Sequence, residues 1–177
     1  AGYNYTADQI HSASVNKDYS TKAAIKKYGV KSGKYSDYDA FNNGMPITCF
    51  GISAIMRNMG LSCDYVATWS KDQDAINDIT AALAQGKCVA VYVNSTKRDG
   101  IQFTDNNHCI LLVGFQNNGN LNFINPAGGR LNYTHKTGEC NNLKLSNLVK
   151  YYMLKNSETA NQVVYRKSTR SGGYVKY

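Results

Sequence analysis

No run of this chain approaches the roughly 20 apolar residues that a membrane-spanning helix needs. Apolar stretches such as Cys109 to Val113 have only the length of a core strand. The chain opens on Ala1 with neither Met nor an apolar leader, as a processed product or an excised domain does. No CxxC pair exists among Cys49, Cys63, Cys88, Cys109 and Cys140, which argues against a structural zinc site. No metal or cofactor is therefore expected. Five cysteines fit one thiol beside up to two disulfides, and they fit five thiols equally.

A concentrated basic stripe is missing as well. The formal charge is +8, from 20 Lys and Arg against 12 Asp and Glu. The basic residues are scattered, with small clusters at Lys26-Lys27, Lys97-Arg98 and Arg166-Lys167. Specific nucleic-acid recognition wants such residues gathered on one face. What remains is a solvated basic surface, or a general attraction to anionic polymers such as those of a bacterial wall. There is no internal repeat and no domain-scale linker.

What is present suits a folded domain. The 177 residues are 42% hydrophobic and 18% charged, long and apolar enough to bury a core. Residues 1–40 are polar and rich in Tyr and Lys, and read as an N-terminal helical arm or subdomain, with short helices over 7–14 and 20–28. Residues 41–177 read as the main domain. The 14 tyrosines, with many asparagines, offer a surface that can stack on sugars or peptides.

Within the main domain, Asn42-Asn43-Gly44-Met45-Pro46 is a turn-rich approach to a helix. Thr48 stands at an N-cap position, and Ile52, Ile55, Met56 and Met59 repeat at helical spacing up to Gly60. Asp72 to Gln85 is a second amphipathic helix, ended by Gly86. Cys88 to Val93 reads as a strand, Lys97 to Asn107 as a polar loop, and His108 to Phe115 as a strong strand. Asn117-Asn118-Gly119-Asn120 is a hairpin turn, Leu121 to Ile124 returns, and Asn125-Pro126-Ala127-Gly128-Gly129 breaks the strand. Leu145 to Leu154 reads as a helix, or a helix running into a strand. Residues 168–177 form a loose tail unless docked. The order implies an α+β fold, with helices on one side of an antiparallel sheet.

Three residues in this layout suggest chemistry. Cys49 opens a helix, where partial positive charge and unpaired N–H groups favour a thiolate and can hold an oxyanion. His108 opens an apolar strand, which places a rigidly held imidazole at the rim of the sheet. A third group must fix the imidazole tautomer. Mirrored across a turn near Asn118, His108 falls within about three positions of Asn125, so hairpin register brings the carboxamide near the ring. Cys109 points to the opposite face from His108 and reads as core. His11 and His135 lack a comparable setting, and His108, His135 and Cys140 show no recognisable metal spacing. Trp69 reads as a core side chain in preference to a groove wall.

Three blocks carry a family resemblance. They are Thr48-Cys49-Phe50-Gly51-Ile52-Ser53-Ala54, Asn107-His108-Cys109-Ile110-Leu111-Leu112-Val113-Gly114-Phe115, and Asn122-Phe123-Ile124-Asn125-Pro126. In this order they resemble the bacterial double-glycine-peptidase-like cysteine peptidases, relatives of bacteriocin leader-processing domains with a papain-like fold. The resemblance covers residues from about 42 to about 130. It implies a cysteine hydrolase cleaving amide bonds through Cys49, His108 and Asn125, on a peptide or a peptidoglycan peptide. It also favours a secreted or wall-associated setting. The same triad serves transglutaminases and acyltransferases, and an inactive papain-like binding module is a third expectation. The chain departs from the family where Phe50 separates Cys49 from Gly51, and where Asn125 replaces the commoner Asp. Asn43, with Asn42 beside it, stands where the family has an oxyanion-stabilising Gln.

Overall fold

A computed structural model describes residues 4–6, 9–10, 49–66, 68–105, 108–155 and 173–177. The expected helices over 7–14 and 20–28 lie largely or wholly outside these residues. So do Asn42, Asn43 and the Thr48 N-cap. The described elements are α1 (Cys49–Asn58), β1 (Asp64–Val66), α2 (Asp72–Ala84), β2 (Val89–Val93), β3 (His108–Phe115) and β4 (Leu121–Asn125). They continue with β5 (Arg130–Leu131), β6 (Tyr133–Thr134), β7 (Gly138–Glu139), α3 (Leu145–Asn147) and β8 (Tyr174–Lys176). Six strands form one antiparallel sheet in the order β1-β8-β2-β3-β4-β5, and β6 and β7 pair separately. The fold is α+β around an antiparallel sheet. Among the described residues, no helix is long and apolar enough to cross a membrane.

The helices do not share one side of the sheet, which corrects that part of the expectation. Strand alternation separates two cores. Val89, Val91 and Val93 of β2, Ile110 and Leu112 of β3 and Phe123 of β4 pack with Ala75, Ile79, Ala82 and Leu83 of α2. Ala90 and Tyr92 of β2 and Val175 of β8 pack with Cys49 of α1, and Ile52, Met56, Cys109 and Leu111 lie against them. So α2 covers one face and α1 the other. The sequence carries the reason: all five residues of β2, Val-Ala-Val-Tyr-Val, are buried. A strand without polar alternation has no solvent face to offer.

The β3–β4 hairpin is local and follows its turn chemistry. Gly119, at φ 76°, donates its N–H to Gln116 O at 2.9 Å, and the Gln116 N–H reaches Asn120 O at 2.7 Å. The left-handed Gly119 closes the turn without a Cβ penalty. Leu112 then pairs with Phe123 and Leu111 with Ile124, after a one-residue irregularity between Leu112 and Gly114.

The segment read as a polar loop and the tail both add to the core. Residues 97–107 are polar on average, yet Phe103 is fully buried. Its ring meets Phe123 and Tyr152 edge-on at centroid distances of 5.5 and 5.3 Å. An aromatic side chain dropped from a loop thus completes the core beneath α2's face. The end of the chain is docked over Tyr174–Lys176, which lies between β1 and β2 in the sheet. Tyr174 Oη donates to Asp78 Oδ2 at 2.7 Å, and Lys176 Nζ reaches Asp78 Oδ1 at 2.8 Å. Helix α3 runs through a π-helical turn, Leu148–Tyr152, into Met153, which bridges to Val93. Trp69 is buried, with its ring 5.8 Å from that of Tyr174.

Candidate active site

The start of β3 and the end of β4 meet at one rim of the sheet. His108 is half-buried and pairs with Val93 in the ladder, while Asn125 ends β4 with no exposed surface. Because Leu111 pairs with Ile124, Asn125 is the diagonal neighbour of His108 on the same face. Their side chains meet, with His108 Nε2 and Asn125 Oδ1 at 2.8 Å. The Ala127 N–H also donates to Asn125 Oδ1, at 3.0 Å, which fixes which end of the carboxamide is the oxygen. An accepting oxygen requires the proton on Nε2, which in the neutral ring leaves the lone pair on Nδ1. That is the tautomer of a general base acting through Nδ1.

The loop after β4 holds the Asn125 backbone. Gly128 and Gly129 both donate their N–H groups to Asn125 O, at 3.0 and 2.8 Å. A Cβ on Gly128 would stand 2.5 Å from Tyr133 Cδ1, so only glycine lets the two approach. Asn132, left-handed at φ 51°, accepts the Phe123 N–H on Oδ1 at 2.8 Å and donates from Nδ2 to Asn122 Oδ1 at 2.9 Å. Asn125 Nδ2 is buried and finds no partner among the described residues. A buried amide donor without an acceptor is costly, and is a feature that a bound carbonyl or water can relieve.

Comparison with protein-family models, with curated proteins and with solved structures finds no match to this chain.

Cys49 is the first residue of α1 and is fully buried. Its thiol donates to Ala90 O at 3.7 Å, and its sulfur lies 3.9 Å from Cys109 Sγ. Cys109 and Leu111 face the α1 core, and alternation along β3 turns His108 to the α2 face, with Ile110 and Leu112. The structure thus brings His108 and Asn125 together and brings Cys49 to Cys109, the residue after the imidazole. It does not place the Cys49 sulfur on the face that carries the ring. Asn42 and Asn43 lie outside the described residues. His135 is exposed, and no group of three His, Cys, Asp or Glu among the described residues could hold a metal ion.

Cys109 packs against the core on the α1 side, as expected of a residue turned away from His108. Alternation already turned it away from His108. The missing piece was that α1 lies on the face it points to, and the unbroken apolar run of β2 is the signal of a sheet covered on both faces. Tyr177 belongs to the same neighbourhood. Its backbone pairs with that of Cys88, and burial raises its phenol to about 12, with Cys88, Cys109 and Cys49 acting in the same direction.

Proposed function

We propose that the chain is a papain-like cysteine hydrolase that cleaves amide bonds in a peptide or a peptidoglycan peptide. Cys49 attacks the carbonyl carbon, His108 Nδ1 takes the thiol proton and later gives a proton to the leaving amine, and Asn125 holds the ring. The backbone N–H groups at the start of α1 stabilise the oxyanion, with Asn43 or Asn42 as side-chain donors. The observation that carries this reading is the 2.8 Å contact between His108 Nε2 and the buried Asn125 Oδ1. The basic surface adds a secreted or wall-associated setting to the proposal.

The reading makes a structural demand. Cys49 must carry its sulfur from the Cys109 side of β3 to the imidazole. Substrate binding is the natural source of such a change, since the productive state is then the one the substrate stabilises.

A second reading is favoured by the position of the same sulfur. A fully buried thiol bonded to Ala90 O is also what a structural cysteine looks like. On this reading the chain is a papain-like binding module, with His108 and Asn125 as a structural pair. Iodoacetamide labelling near neutral pH, followed by peptide mapping, separates the two. The hydrolase reading expects Cys49 to react faster than the buried Cys63 and Cys140, and His108→Ala to slow it. Equal rates at all three support the binding module. A Cys49→Ala variant that keeps full activity against a pool of peptides and muropeptides removes the hydrolase assignment. Product analysis with and without an added amine distinguishes hydrolysis from acyl transfer.

A further inference from the structure

The pairing of two thiols from elements 60 residues apart in sequence has no part in the hydrolase reading. Cys49 begins α1 and Cys109 is the second residue of β3, and their sulfurs lie 3.9 Å apart, in van der Waals contact. We propose that Cys49 and Cys109 are a reversible disulfide site that ties the start of α1 to the sheet under oxidising conditions. The proposal stands on that geometry alone and does not depend on the chain being a hydrolase.

A disulfide needs its sulfurs at about 2.0 Å, with the Cβ atoms about 4 Å apart. The two sulfurs have to close from 3.9 Å to that bond length. Cys63 Sγ donates to Ser53 O at 3.4 Å, and Cys140 Sγ turns to Asn142 Oδ1 at 3.8 Å, in the core on the opposite face. No disulfide joins any of the five cysteines in this structure, so the site is described in its reduced state.

Exposure orders the chemistry. Cys109 is partly exposed and Cys49 is fully buried. The Cys109 thiolate attacks a small-molecule disulfide, forms a mixed disulfide and releases one thiolate. Cys49, after losing its proton to solvent, attacks the Cys109 sulfur and expels the second thiolate. The two cysteines lose two protons and two electrons in all, and the reagent disulfide becomes two thiols. Where the hydrolase reading also holds, the bond removes the nucleophile and oxidation switches the enzyme off.

The test needs no activity. The fully reduced protein is treated with glutathione disulfide, alkylated and digested without reductant, and the peptides are identified by mass. The expected product is a Cys49–Cys109 cross-linked pair that dithiothreitol returns to two separate peptides. Cys109→Ser is expected to abolish the cross-link and leave Cys49 reduced, while Cys63→Ser leaves the link in place. A Cys49–Cys63 link, a stable glutathione adduct on Cys109 without the link, or two alkylated thiols in the wild-type protein would overturn the proposal.

Discussion

The Asn125 carboxamide oxygen accepts two hydrogen bonds at once, from His108 Nε2 at 2.8 Å and from the Ala127 N–H at 3.0 Å. One atom therefore sets the imidazole tautomer and shapes the turn after β4. Asn125→Ala removes the acceptor from both donors, and leaving a buried donor unsatisfied costs about 1–3 kcal/mol. The variant should be destabilised by about that amount and should lose its fixed tautomer, read from the imidazole ¹⁵N shifts. Asn125→Asp keeps an acceptor and should keep the tautomer. On the hydrolase reading, His108→Ala lowers kcat/KM by about 10²–10⁴-fold, with Asn125→Ala falling less, because the base survives without its guide. An unchanged imidazole spectrum in Asn125→Ala would show that the carboxamide does not orient the ring.

Gly128 extends the same argument along the chain. Its Cα faces the Tyr133 ring so closely that an added methyl group must displace ring or backbone. Gly128→Ala should therefore cost about 1–3 kcal/mol, the usual range for overpacking. Because Gly128 donates to the Asn125 backbone carbonyl, the strain passes to the residue that holds the ring, and the His108 tautomer signal should broaden or shift. Chemical denaturation and the imidazole spectrum together check this. A loss of stability with an unmoved spectrum would confine the effect to the loop.

Asp78 on α2 holds β8 in the sheet through Tyr174 and Lys176 together. A hydrogen bond to a charged group contributes about 1.5–3 kcal/mol. Tyr174→Phe deletes one of the two bonds and leaves the ring in the core, so a loss of about that size is expected. Lys176→Met should cost less, since its side chain is less buried than the Tyr174 ring and an ion pair near the surface contributes about 1 kcal/mol at most. Urea denaturation of the two variants gives the ranking, and the reverse order would mean that the ion pair, not the phenol, anchors β8.

How far the sequence alone could go follows from which contacts are local. The β3–β4 hairpin was legible because its signals are adjacent: an apolar strand, an Asn-Gly turn and a shorter returning strand. Helix α2 was legible from Ile76, Ile79 and Leu83 and from the Gly86 stop. The docking of Tyr174–Lys176 was not, because a three-residue strand between β1 and β2 is specified by partners about 80 to 110 residues away. Phe103 was hidden in a polar segment, since one aromatic side chain gives no period. The faces taken by α1 and α2 were the costliest gap. Hairpin register could bring Asn125 to His108, but nothing local said that α1 would come to Cys109 instead.

The buried phenols set an alkaline limit on stability. Burial raises the Tyr177 phenol from 10.0 to about 12, and burial, with the negative charge of Asp99 next, raises Tyr152 to about 12 as well. Burial also raises Tyr174, helped by its hydrogen bond to Asp78 and by that carboxylate's charge. In each case the folded state holds its proton more tightly than the unfolded chain does. The resulting stability is present in full below about pH 10 and is lost as pH rises toward about 12, because the unfolded state then releases protons that the folded state retains. The urea midpoint should therefore be level with respect to these groups between about pH 8 and about pH 9.5, and should fall steeply above that. Tyr177→Phe and Tyr152→Phe should each make the fall shallower, since each removes one titrating phenol. A Tyr177→Phe midpoint that falls in parallel with the wild type from about pH 10 to about pH 12 would show that this phenol is not held protonated by the fold.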